Sequence, residues 1–408
     1  MTAAGLGVAT GGLGVLANPV AARQLTSQQK RVVLFFLHGG VSQLETWDPK
    51  PGTATGGPFS AIKTSVPGLH ICELLPYTAK QMHHLAVVRS VNSHEDEHNR
   101  GAYKMTTGRA RTPSSDDPDI GAVMTKALAP PHSSLPGHIS VSPGGSGGRG
   151  GGGSYLGPKY SAVSVGNGDP PKHAMRPDDI SVAADAHRNQ FRRAVNDRFS
   201  MRRRTAQADA YTESYEQARE LMLRGEIFDV AKEPQRDHER YGKNDFGRMC
   251  LLARRLLENG ITFVNVGHSN YDTHHENFNF DIEQLGDFDR PFATLVEDLA
   301  QRGMLDSTLI IVMSEFGRTP RINSRYGRDH WSKAWSVVLG GCGIQAGAVL
   351  GKTNAGGTEV VDAQVDHANL FHTYLAAAGL DSTDSFNVDG RMIPMADPAS
   401  HSIEELLV

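Results

Sequence analysis

Cysteine is almost missing from this chain: there are three in 408 residues, at 72, 250 and 342. An odd count excludes a fully paired disulfide framework, and the spacing matches no zinc motif. The three read as small buried hydrophobes, with one disulfide left open as an alternative. An excess of cations is missing too. The net charge is -4, which excludes nucleic acid as the expected partner. The local cluster Arg202-Arg203-Arg204 reads as a solvated helix face. Long hydrophobic runs are also absent. The opening stretch MTAAGLGVATGGLGVLANPVAARQ is apolar but too short and too rich in glycine for a membrane span. It reads as the apolar region of an export signal, with a cleavage neighbourhood at Ala17-Asn18-Pro19-Val20-Ala21-Ala22. The charged segment that ordinarily precedes such a region is missing, so the true start is expected upstream. The alternative is a disordered leader, residues 1–28, with no targeting role.

What the chain does contain is an alternation of apolar runs and helical patterns. RVVLFFLHGG, HHLAVVRSV, PGHISVSP, GITFVNVGH, LIIVMSEFG and WSVVLGG read as strands, several of them apolar throughout, as in strands buried on both faces. DFGRMCLLARRLLENG, FDRPFATLVEDLAQRGML and HANLFHTYLAAAGL have helical spacing, the first and last closing on glycine. The charge-rich stretch from Phe191 to Leu223 predicts one or two exposed helices. Strands alternating with helices predict an α/β fold with a mostly parallel sheet. The expected organisation is one domain over residues 29–408, with a helical insertion around 181–232. The glycine run at 144–157 lacks the ending of a phosphate loop and reads as a flexible loop.

In open α/β sheets ligands sit beyond the carboxyl ends of strands. Three predicted strand ends here carry histidine and carboxylate together. The first has His38, with Glu45 and Asp48 beyond it. A later one has His268, Asp272, His274 and His275. The last has Glu315, followed by Asp329-His330. Imidazoles and carboxylates converging in this way are the ligand set of a divalent ion: zinc, calcium or magnesium. The same pattern arises in hydrogen-bonded networks at strand ends. Arg100 and Arg318 are the candidates to hold an anion, although the arginines of the loop, Arg318, Arg321, Arg325 and Arg328, could equally pair with local carboxylates. Thr106 and Thr107 have no defined base beside them and make weak nucleophiles.

Taken as a set, several motifs resemble one large bacterial family. They are LHGG followed by Trp47-Asp48-Pro49, PGLHICELLP, AVVRSV, the His-rich segment ending MTTG, YDTHHENF, SEFGRTP, GRDHW and GGCGIQAG. That family is known only as a domain of unknown function, is typically exported by the twin-arginine route and is often labelled sulfatase. The resemblance runs from about Arg31 to Gly390. The family looks like a branch of the alkaline phosphatase and sulfatase superfamily, whose members hydrolyse phosphate or sulfate esters with one or two metal ions.

The resemblance implies a three-layer α/β/α sandwich of the alkaline phosphatase-like kind, and it implies roles. His38-Gly39-Gly40 stands where superfamily members carry an acidic ligand. MTTG matches the end of the helix that begins at the nucleophile, and that place falls near His98, with no Ser, Thr or Cys in register. Asp272 with His274 or His275 fits an Asp-then-His ligand pair, Glu315-Phe316 replaces an Asp-His pair, and His330 fits the last ligand. No formylglycine-type motif surrounds any cysteine. The expected function is an exported metal-dependent hydrolase of a small anionic sulfate or phosphate ester, or of a sulfated or phosphorylated glycan, acting through metal-activated water. The alternative is a non-catalytic exported binding protein that kept a degenerate site.

Overall fold

The computed structural model describes residues 29–113, 116–130, 135–143, 152–166, 176–201 and 206–408. The leader at 1–28, Arg202 to Arg204 and most of the glycine run at 144–157 lie outside the described residues.

An eight-stranded sheet divides the molecule. In chain order its strands are β1 (Arg31–Leu37), β2 (Leu85–Val91), β3 (His138–Val141), β4 (Val163–Val165), β5 (Phe263–His268), β6 (Thr308–Met313), β7 (Trp335–Gly341) and β8 (Val349–Leu350). Their order across the sheet is β8-β2-β7-β6-β1-β5-β3-β4. All neighbours are parallel except β7, which runs antiparallel to both β2 and β6. The parallel strands therefore point their carboxyl ends to one edge. Two strands, β4 and β8, were not legible in the sequence, because two or three residues are too few to show a period.

The central strand explains the layering. In β1, Val33, Phe35 and Leu37 face one core, and Val32, Leu34 and Phe36 face the other. An apolar run of this kind buries both faces. On the first face pack two helices, α5 (Asp245–Glu258) and α6 (Asn277–Gln301). On the second lie α1 (His98–Thr107), α2 (Ile120–Leu128) and α7 (His367–Ala377). The result is a three-layer α/β/α sandwich with a mostly parallel sheet. Phe191 to Leu223 belongs to two helices, α3 (Val182–Ser200) and α4 (Ala206–Leu223). The helix read from FDRPFATLVEDLAQRGML begins earlier, at Asn277, and runs through Pro291. All three cysteines are buried and unpaired. Among the described residues no helix is long and apolar enough to cross a membrane.

One buried histidine gives the fold an acid limit. His268 ends β5, and its Nδ1 lies 2.7 Å from the Tyr271 hydroxyl. Its ring packs on Phe246 and Phe288. Burial lowers its pKa from 6.5 to about 4. The unfolded chain therefore binds a proton between these values that the folded chain refuses, so stability rises with pH across this window. The expected result is a loss of up to about 3 kcal/mol as pH falls from 6.5 to 4. Urea titrations of wild type and His268→Gln along that range check it; equal pH slopes in the two proteins would refute the assignment.

Candidate metal centre

The site is built from loops that leave the carboxyl edge of the sheet. The chain after β1 turns at once through Gly39, at φ +116°, and a Cβ there would stand 2.4 Å from the Asp272 nitrogen. Only glycine permits so close an approach. Gly327 does the same for the last loop: a Cβ would meet the His274 carbonyl at 2.1 Å. These glycines pack the first and last loops against the one that carries Asp272 and His274. The loop after β6 folds back as a short antiparallel ladder that sets His330 opposite Arg318. After β2, Glu97 caps α1 through the backbone N–H of Asn99 and Arg100 and so places His98 in the first turn.

Asp272 is the hub. The Oδ1 atom lies 2.6 Å from the Arg318 guanidinium, 3.1 Å from His274 Nε2 and 3.2 Å from His330 Nε2. His98 Nε2 is 3.4 Å from Oδ2. His274 Nε2 and His330 Nε2 are themselves 3.0 Å apart. Each imidazole is pinned from behind. His98 Nδ1 is 2.7 Å from Glu315, His274 Nδ1 is 2.7 Å from Asp329, and His330 Nδ1 is 2.7 Å from the Asp96 carbonyl. An acceptor at Nδ1 fixes the proton there and leaves the Nε2 lone pair facing forward. Two such lone pairs at 3.0 Å repel unless a cation or a proton lies between them.

The donor set fits a divalent ion on its spacing as well. Ligands at 2.0–2.1 Å from an ion are about 2.8–3.0 Å apart in octahedral array and about 3.3–3.4 Å in tetrahedral array. The His274, His330 and Asp272 donors are 3.0, 3.1 and 3.2 Å apart. His98, Asp272 and His330 also offer donor atoms all within 4.8 Å of one another. Charge states agree with this. Partial burial works to raise the Asp272 carboxyl, but Arg318 and His330 outweigh it and hold it at about 2. Burial lowers His330, favouring the neutral form that a metal needs. His98 differs: its bond to Glu315 raises its pKa, so it favours holding a proton.

The residues singled out in the sequence fall into three groups. Asp272, His274 and His330 converge, and His98 borders them. Glu315 and Asp329 are present but turned to other work. Glu315 is buried and accepts from Gly39 N–H, Ser314 and His98; Asp329 orients His274. The rest lie apart. His275 is exposed and turns its ring toward Phe280. His38 is not within the donor group; its ring packs at a tilt against Phe36 and lines a neighbouring cleft. Arg100 faces solvent and pairs with Glu95 at 3.1 Å, so it does not reach the site. Arg318 is fully buried and committed to the carbonyls of Gly39, Gly40 and Arg328 and to Asp272. It positions a carboxylate and is not free to clamp an anion. Thr106 and Thr107 spend their hydroxyls on the carbonyls of Ala102 and Tyr103, each at 2.7 Å.

The cleft beside the centre has a volume of about 470 Å³. Its floor is Leu34, Phe36 and Phe263, and its walls carry Arg111, Asp119, His138 and Asn265. Of these, Asn265 Oδ1 is buried without a hydrogen-bond partner. None of the four was found from the sequence, though Asp119 announces itself as the cap before an apolar helix.

Residues 29–407 match the family described as Protein of unknown function (DUF1501). The chain belongs to that family. No curated protein matches this DUF1501 chain. Among solved structures it is similar to the PsFucS1 sulfatase from Pseudoalteromonas sp., at 12% identity and a TM-score of 0.42, over 97% of this chain and 75% of that one. It is also similar to the phosphonate monoester hydrolase SpPMH from Silicibacter pomeroyi, at 13% identity and 0.41, over 89% and 75%. A third is the alkaline phosphatase from the Antarctic bacterium TAB5, at 14% and 0.38, over 86% and 99%.

Proposed function

We propose that this DUF1501 protein is a metal-dependent hydrolase of phosphate or sulfate esters, of the alkaline phosphatase-like kind, exported from the cell. The observation that carries the reading is the set of three imidazoles, each pinned at Nδ1 and aimed by Nε2 at Asp272. Asp272, His274 and His330 would hold a divalent ion, which supplies Lewis-acid chemistry when bound. The chain's own groups do the rest. Arg318 keeps Asp272 ionised and in place. Glu315 keeps a proton on His98, which faces both the centre and the cleft. As a water molecule attacks the phosphorus or sulfur, His98 hands its proton to the leaving oxygen and regains one from the attacking water. The cleft takes the organic part of the ester. The motif resemblance to ester hydrolases supports the reaction class, and the glycine- and alanine-rich leader supports export.

One observation favours a second reading, a binding protein without turnover: neither Arg100 nor Arg318 is free to hold the anion. Metal content of the purified protein by elemental mass spectrometry, followed by turnover of aryl phosphate and aryl sulfate esters, separates the two. Stoichiometric metal with turnover supports the hydrolase. Stoichiometric metal with saturable anion affinity and no turnover supports the binder. Absence of metal after reconstitution with zinc, calcium or magnesium removes the hydrolase reading.

A further inference from the structure

Helix α3, Val182–Ser200, is built inside out. Its inward positions are polar. Asn189 is buried and donates to the Asp185 carbonyl. Asn196 reaches the Thr212 hydroxyl of α4 at 3.2 Å. Arg192 pairs with Glu216 and stacks on Tyr215 at 4.0 Å. The apolar residues are on the outside: Phe191 is 70% exposed, Val195 50% and Phe199 51%. A surface helix ordinarily does the reverse.

Phe191, Val195 and Phe199 are spaced i, i+4, i+8, so they form one stripe about 80° wide at 100° per residue. The same rotation puts Arg188 within that stripe, with Arg198 about 20° and His187 about 40° beyond one edge; Asp185 lies about 40° beyond the other edge, half-buried and bonded to Asn189, and Asp197 lies well away from the stripe. All three basic residues are exposed. Among the described residues neither Arg188 nor Arg198 has an ion-pair partner. The outward face therefore carries aromatic rings and cations and no acid.

That composition chooses among the surfaces that could cover it. A second copy packing face to face would set arginine against arginine, which costs stability. A protein groove would trap Arg188 at the centre of an interface, where an unpaired charge is expensive. At an anionic lipid surface both conflicts vanish. The rings enter the boundary of the acyl chains, and the flexible arginine side chains reach back to the phosphate layer. We infer that the outward face of α3 docks the protein on an anionic membrane surface. The inference is independent of the metal centre.

The test uses the full chain in co-sedimentation with vesicles of phosphatidylglycerol and phosphatidylcholine, beside vesicles of phosphatidylcholine alone. Binding to the anionic vesicles only, weakening in high salt, is expected. F191S/F199S is expected to weaken binding about tenfold or more, and R188E/R198E to abolish the preference for anionic lipid. These side chains touch no core, so thermal melts should match wild type and keep the comparison sound. Failure of wild type to bind, or binding indifferent to both variants, overturns the inference. So does a wild-type dimer, seen by light scattering, that F191S/F199S dissolves; a second copy would then be the occupant.

Discussion

Asp272→Ala is expected to abolish metal binding while the protein stays folded. Both imidazole donors address this carboxylate, His274 at 3.1 Å and His330 at 3.2 Å, and His98 borders it at 3.4 Å. Removing it leaves imidazoles beside the Arg318 guanidinium, a net repulsion toward any cation. Affinity should fall by more than about a thousandfold, beyond the roughly 10–100-fold typical of losing an orienting partner behind a ligand. Asp329→Asn supplies that smaller comparison, because it loosens His274 without removing a donor. The fold should survive the loss of Asp272, which is 48% exposed on a loop, and Arg318 keeps three backbone carbonyls. Titration calorimetry with zinc on the apo-protein, beside a urea melt, reads both quantities. Wild-type affinity in Asp272→Ala would sink the centre as described.

Much of this was legible because parallel strands buried on both faces leave an unmistakable apolar run. The same logic pointed to the strand ends, so Asp272, His274 or His275, Glu315 and His330 stood among the candidates before any contact was known. What the sequence hid was direction. His274 and His275 are neighbours of identical chemistry, and the turn, not the composition, sends one inward and the other to solvent. Arg318 read equally as an anion clamp or a partner of carboxylates, because nothing in SEFGRTP says that its donors go to Asp272 and to the Gly39 and Gly40 carbonyls from a strand far away in the chain. Glu315 and Asp329 read as ligands, since a carboxylate that binds a metal and one that orients a histidine look alike in sequence. The inverted α3 escaped for a related reason: its apolar spacing was helical, but spacing cannot tell which face meets the protein.

The second large effect lies behind the centre, in Arg328. Arg328 and Glu45 are both fully buried and joined at 2.7 Å. The Arg328 terminal nitrogens also donate to the carbonyls of Thr55, Thr319 and Pro320, its Nε is buried without a partner, and Asn277 reaches Glu45 at 3.3 Å. Arg328→Met would strand the Glu45 carboxylate beside Asp281, whose own carboxyl burial and Glu45 already push up. Breaking a buried pair in this way costs about 3–5 kcal/mol, whereas replacing both partners with apolar groups recovers much of it. Arg328→Met should therefore lower stability by that amount in a urea melt, with Glu45→Met/Arg328→Met closer to wild type. A loss below about 1 kcal/mol for the single variant would mean that water or a proton compensates Glu45. The consequence reaches the metal. The Arg328 guanidinium joins the loop that carries His330 to Glu45 and Thr55 beyond β1; the Arg328 backbone N–H, which the substitution keeps, donates to the Thr273 carbonyl at 3.0 Å. Arg328→Met should thus lose stability and metal together, while Asp272→Ala loses metal alone. That difference in signature separates the scaffold that brings the donors within 3.2 Å of one another from the donors themselves.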